Sequence, residues 1–528
     1  MKKYISLICV AITIANSSCK KNYLDLSVNP NTPSVAAPNL ILSGALKTTA
    51  GIVNGGLNNA ANVANNINFG FYTQYANWVG YLSQSTSYQP FVTLEQYAFT
   101  SSDYDVWTRL YANLANYKAI IDANAGPNIT AIAKIMTAFD YQQLVDNYNN
   151  VPYTQALQGS SSLNPMYDNG SAIYDDLLKQ LDASIALIQG APVGAANPGT
   201  SDVMFGGNMD NWKKFANTLK LRLAIRQSNL SAKQAALKAS ISATVAVGYL
   251  DATNPAVVNP GYTNIDANGG QQSPLWINYG TTQSGNAQTN NAQYQANSYA
   301  ATFFASNNDP RLVQIYSNIA TAVTATSILN GTVNVQNGKA IVATPFGGSQ
   351  PPTGVINGVR TPLAVSKFGP GILKSATMPA VILSSAESLF LQAEGVAEGL
   401  ITGNAVTFYN AGISASFADD LVPSAASAAA TYYAQPAIAY PVSGSVELQK
   451  QAIVTQKWAA LVGYGAFEAF NELRRTGYPN VPVSIFAGAG TQQVSRIFYP
   501  AIEFQTNADN VGAQGTIDKF TSKIFWAK

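Results

Sequence analysis

The sequence predicts a mainly α fold with large loops and a few short strands. Three observations carry that prediction. Apolar stripes recur at helical spacing, helix starts and stops fall where the stripes begin and end, and Asn-Gly turns flank a short alternating run.

Taken in chain order, the first stripes run through 103–124 and 129–148. Ser171 then opens SAIYDDLLKQLDASIALIQG, in which Tyr174, Leu177, Leu178, Leu181, Ile185 and Ile188 share one face and Gly190 is the stop. A further stripe covers 210–228. Asp309-Pro310-Arg311 after Asn307-Asn308 reads as a helix-stopping turn. Asn330-Gly331 and Asn337-Gly338 flank TVNVQ and predict a short hairpin. Ser384 and Glu387 have the S-x-x-E spacing of a capping box. The last long stripe begins at Val446, bends or breaks at Gly463-Tyr464-Gly465, and ends with Arg474 and Arg475 before Gly477 and Pro479. Within it, Glu468 and Glu472 lie four apart with those arginines close by, so structural ion pairing is expected rather than acid–base chemistry. Helix pairs of this size suggest a stacked helical scaffold, although no clean 34-residue period is visible.

The chain of 528 residues holds no histidine. That absence removes imidazole-based triads, histidine zinc sites and histidine general bases. No phosphate-binding glycine loop is present either, so no cofactor is expected. Asp266-Ala267-Asn268-Gly269 has the start of a calcium loop without the rest, and reads as a turn. Lys2 and Lys3 precede an uncharged, mostly apolar run from Tyr4 to Ala15, then NSSCKK. This is the pattern of an export signal, too short to span a bilayer. Cys9 would leave with it, so Cys19 would be the one cysteine of the mature chain. It is either an acylated membrane anchor or a free thiol. Only 11% of residues are charged, and loss of the signal leaves 27 basic against 27 acidic residues. A neutral, charge-poor surface argues against nucleic acid as a partner.

Residues 48–94 and 267–308 contain no Asp, Glu, Lys or Arg. The second stretch carries eight Asn and six Gln among its aromatics. Amides exchange hydrogen bonds without a charge to desolvate, and aromatic faces stack on apolar C–H surfaces. The mixture suits a neutral, hydroxyl-rich ligand such as an oligosaccharide, and equally polar peptide backbone. Trp78 and Tyr81 are spaced three apart, as are Trp276 and Tyr279, so each pair would share a face on a helical turn. With Tyr88, Asn278 and Tyr294 they form the candidate ligand-binding set. The alternative for each ring is a place in the core.

Seven segments in order resemble the SusD/RagB-family outer-membrane lipoproteins of the nutrient-binding branch. They are 24–46 (LDLSVNPNTPSVAAPNLILSGAL), 133–157 (AKIMTAFDYQQLVDNYNNVPYTQAL), 211–226 (NWKKFANTLKLRLAIR), 308–312 (NDPRL), 378–399 (MPAVILSSAESLFLQAEGVAEG), 454–479 (VTQKWAALVGYGAFEAFNELRRTGYP) and 496–510 (RIFYPAIEFQTNADN). The resemblance implies a tetratricopeptide-like helix-pair scaffold whose loops build a ligand site. It implies a signal peptide at 1–18, a lipid anchor on Cys19 with a tether at 19–40, and one domain at 41–528 with its ligand region mainly in 48–94 and 250–375. It further implies a surface-exposed, lipid-anchored protein that captures oligosaccharides, or in some branches peptides, for a SusC-like TonB-dependent transporter. No catalytic or metal-ligating residue is expected. A carboxylate-dependent glycoside hydrolase is the competing class; it would need paired acids in a cleft.

Overall fold

The computed structural model describes residues 36–55, 72–267 and 270–528. Cys19 and most of the tether therefore lie outside the described residues.

Helices dominate, and neighbours in sequence pack as pairs. The Pro38–Asn54 and Trp107–Asp122 helices lie together, as do Trp107–Asp122 with Pro127–Tyr148, and Pro127–Tyr148 with Gly170–Gln189. Met209–Arg226 follows against Gly170–Gln189. A second set, Ser385–Ala397, Ala405–Asp419, Ala425–Tyr433 and Val446–Ala460, repeats the arrangement. This is the tetratricopeptide-like scaffold. Strands are two to five residues long and form small antiparallel sheets.

Local chemistry explains the boundaries. The Gly170–Gln189 helix starts one residue before the predicted Ser171, because Asn169 caps it: its Oδ1 accepts from the amides of Ser171 (3.0 Å) and Ala172 (3.2 Å). Ser384 caps the Ser385–Ala397 helix by accepting from the Glu387 amide at 3.1 Å, but the capping box is only half formed. The Glu387 carboxylate turns away to Arg222, 2.7 Å off. The last long stripe does break where predicted: one helix ends at Ala460 and the next runs Ala466–Thr476. Gly463 sits between them at φ 96°, where a Cβ would fall 2.7 Å from Ile372. The Asn337-Gly338 pair, at φ 50° and 72°, joins strands Thr332–Gln336 and Lys339–Ala343 in a hairpin with Gln336 opposite Lys339.

The scaffold is tied together by buried charge. Arg226 reaches Asp146 at 2.6 Å and also pairs with Glu468, linking three helices. Trp526 donates its indole N–H to the other Asp146 oxygen at 2.9 Å and lies under the guanidiniums of Arg226 and Arg474. Nearby, Glu472 pairs with Arg475 and with Lys457 (2.7 Å), and Arg475 reaches Glu394 at 2.7 Å. Glu468 and Glu472 are thus both in structural ion pairs, as expected: Glu472 with Arg475, but Glu468 with Arg222 and Arg226 rather than with Arg474 or Arg475. Their cationic neighbours hold both carboxyls down against the opposing effect of burial, Glu468 at about 2.

Candidate functional site

The two charge-free stretches meet. Strand Leu82–Gln84 from the first pairs antiparallel with strand Tyr294–Ala296 from the second, with Gln84 opposite Tyr294 and Leu82 opposite Ala296. The Ser85 amide extends the ladder to the Gln293 carbonyl at 2.7 Å. Side chains fasten the seam to a third segment: Ser83 Oγ donates to the Thr344 carbonyl (2.9 Å), and Gln295 Nε2 to Thr344 Oγ1 (2.9 Å). Because the strands are antiparallel, the chain leaving Gln84 and the chain entering Tyr294 lie at one end of the ladder. One polar loop, Ser85–Pro90, leaves that end directly, and a second, the 281–287 loop, connects to it through the short Thr289–Gln293 helix.

The first loop, Ser85–Pro90, is held at its base by Gln84. The Gln84 amide donates to the Gln89 carbonyl at 2.7 Å and accepts from the Phe91 amide at 2.9 Å. The Phe91 amide also reaches Glu95 at 3.2 Å, whose burial pushes its pKa up to about 7. Residues 87–90 are exposed, and Tyr88 retains 43% of its surface. The second loop is hairpin-like. Thr281 bridges to Ala287, Gln288 N–H donates to the Gly280 carbonyl at 3.0 Å, and Gln283 N–H donates to Asp266 at 2.8 Å. Asp266 therefore serves as a loop tie. Residues 283–287 are exposed and uncharged. Trp276 lies half-buried at the foot of this hairpin, its indole N–H donating to the Thr281 carbonyl at 2.9 Å. Its ring packs on Gly280 so closely that a Cβ there would be 2.5 Å away.

The structure corrects five members of the sequence-derived set. Trp78, Tyr81, Asn278, Tyr279 and Tyr294 retain 1%, 0%, 4%, 3% and 2% of their surface and belong to the core. Helix Thr73–Trp78 is buried on every side, so its spacing does not present rings outward. Trp78 is enclosed by the rings of Tyr75, Phe99, Tyr104 and Phe470 at 5.5–5.6 Å. Tyr81 donates its hydroxyl to the Trp458 carbonyl at 2.5 Å. Tyr279 shares a 2.7 Å hydroxyl hydrogen bond with Thr73 and stands edge-on to Tyr72 and Phe368. Asn278 spends its amide N–H groups on the carbonyls of Gly55 and of Pro274 (2.9 Å). Asn278, Tyr279 and Tyr294 fasten the second charge-free stretch to the first, while Trp78 and Tyr81 tie the first to the rest of the core. Of the set, Tyr88 and Trp276 remain at the loop end.

The opposite end of the ladder opens into a cavity of about 440 Å³. Gly80 and Asn297 flank it, and helix Ser298–Ser306 forms one wall with Tyr299 and Phe303. Tyr299 and Phe303 were both absent from the sequence-derived set. The available signal was their spacing of four inside a charge-free stretch.

A protein-family model described as "Starch-binding associating with outer membrane", of the SusD-like type, matches residues 45–500. No curated protein matches the chain. Among solved structures, a SusD homolog from Bacteroides uniformis is 21% identical with a TM-score of 0.71, covering 92% of this chain and 99% of its own. A chitin-binding SusD homolog from Flavobacterium johnsoniae is 21% identical with a TM-score of 0.70, covering 92% and 98%. A structure described as a chitin-binding protein is 24% identical with a TM-score of 0.68, covering 93% and 100%. At these identities the structural likeness speaks for the fold, while the family model spans most of the chain. The chain belongs to the SusD-like family of outer-membrane-associated binding proteins, which are not enzymes.

Proposed function

We propose that this protein is a surface-exposed lipoprotein that captures neutral oligosaccharides and hands them to a SusC-like TonB-dependent transporter. The carrying observation is the antiparallel ladder that joins the two charge-free stretches: the exposed Ser85–Pro90 loop leaves its Gln84–Tyr294 end directly, and the exposed 283–287 hairpin connects to that end through the Thr289–Gln293 helix. Tyr88 would supply a stacking face there, Trp276 a half-buried ring beneath the hairpin, and the loop amides hydrogen bonds to sugar hydroxyls. The family description, starch-binding and associated with the outer membrane, supports the ligand class and the location. The names of two similar structures, both chitin-binding, support a glycan as well. Among the described residues no helix is long and apolar enough to cross a membrane. The attachment in this reading is lipid on Cys19, supported by the signal-like run that precedes it.

Isothermal titration of the mature protein with maltohexaose, chitohexaose and neutral hexapeptides tests the reading. One ring stacked on a sugar contributes about 1 kcal/mol, so Tyr88→Ala should weaken glycan binding about fivefold without lowering the melting temperature. Binding of peptides alone would replace the oligosaccharide with a peptide ligand. Glycan binding unaffected by both Tyr88→Ala and Trp276→Ala would remove the loop end as the site.

A further inference from the structure

The cavity at the far end of the ladder has a neighbour across helix Ser298–Ser306. A second chamber of about 340 Å³ lies beyond it, walled by Tyr409, residues 436–439, Pro441 and the Val446–Ala460 helix. Phe303 lines both chambers, Ser306 the first and Asn307 the second, so the two lie next to one another on either side of Phe303 at the C-terminal end of this helix. None of the residues lining either chamber is charged. No residue of the two polar loops contributes to either one.

The helix wall carries two stripes side by side. Tyr299 and Phe303 are four apart and form a ring stripe. Ser298, Thr302 and Ser306, also at intervals of four, form a hydroxyl stripe, with Thr302 and Ser306 exposed. Both rings stand edge-on to buried Trp458, at 5.5 Å and 69° for Tyr299 and 5.1 Å and 83° for Phe303. That contact holds their orientation before any ligand arrives, which lowers the entropy lost on binding. Gly80, at φ 76°, lets the Tyr299 ring approach to where a Cβ would stand 3.0 Å from it. On the opposite wall the Ile485 amide donates to the Phe346 carbonyl at 2.9 Å, so that wall offers side chains rather than an open strand edge for a peptide. Exposed Ile485 and Leu448 mark the two outer rims with apolar surface.

We infer that this two-chambered groove is a second oligosaccharide-binding site, separate from the loop end and taking a neutral glycan whose C–H faces lie on Tyr299 and Phe303. The inference shares the ligand class of the reading above but rests on a different set of residues. Thr302 is exposed on a helix surface, so Thr302→Trp fills the groove without disturbing the core.

Titration with maltohexaose and chitohexaose, together with hydroxyl-radical footprinting, provides the test. The expected result with at least one probe is two molecules bound per protein, falling to one in Thr302→Trp. Tyr88→Ala should leave the second binding event unchanged. Footprinting should show Tyr299 and Phe303 protected by the probe. One molecule per protein, with Tyr299 and Phe303 unprotected, would overturn the second site while leaving the loop-end reading standing. Binding of neither probe at either place would overturn both.

Discussion

Replacing Trp78 by alanine separates a core ring from a ligand-binding ring. The indole is 1% exposed, with four aromatic neighbours at 5.5–5.6 Å, and its N–H has no hydrogen-bond partner. The loss is therefore one of packing alone. A buried tryptophan hides roughly 150–250 Å², worth about 4–6 kcal/mol at ~25 cal/mol/Å², part of which alanine retains. Large-to-small changes of this kind cost about 3–5 kcal/mol. A cooperative unit of this size has an unfolding entropy of about 1 kcal/mol per kelvin, so the melting temperature should fall by about 3–5 °C. Trp78→Phe keeps much of the ring contact and should fall by less than half as much. Differential scanning calorimetry beside maltohexaose and chitohexaose titration reads both effects. A melting temperature within about 1 °C of the wild type, coupled to lost glycan binding, would refute the core assignment and return Trp78 to the ligand site.

Arg226→Met should lower the urea midpoint by an amount equivalent to about 3–5 kcal/mol, because Asp146 and Glu468 would be left buried without their shared cation. A shift under about 1 kcal/mol would show that the network relaxes around the gap. Burial raises the pKa of Asp140 to about 8, with only the 2.9 Å bond from Asn113 working against it. The folded state then holds a proton that the unfolded chain releases near pH ~4, so this stabilisation is complete below that pH and lost as pH rises through 8. Asp140→Asn should flatten the decline in stability between pH 5 and 8 relative to the wild type in chemical denaturation, and an unchanged slope would count against it. Cys19→Ala should move the protein from the membrane to the soluble fraction in cells lacking the cognate transporter. Retention after a high-salt wash would contradict lipid attachment.

Much of the helical scaffold was legible because its signals are local. The stripe from Tyr174 to Ile188, the Gly477 stop and the Asn337-Gly338 turn each act within a few residues, and the helices and hairpin stand close to where those signals place them. The capping box at Ser384 shows the limit of local reading. Its backbone half formed, but Glu387 went to Arg222, a partner from a helix far away in sequence. The candidate site was legible as composition only. Two charge-free stretches were visible, and their meeting was not, since the Gln84–Tyr294 register depends on pairing across the chain.

By itself the sequence determined the mainly α class, the family resemblance that the family model bears out, and the two charge-free stretches in which the ligand site is proposed. Which aromatic rings face inward was decided by the tertiary structure alone. Uncharged aromatics and amides are chosen both for a core, where a charge costs desolvation, and for a neutral glycan, where a charge has nothing to pair with. The two uses look alike in one dimension. They separate only when Phe470 closes over Trp78 and Trp458 backs Tyr299 and Phe303, contacts made by residues far away along the chain.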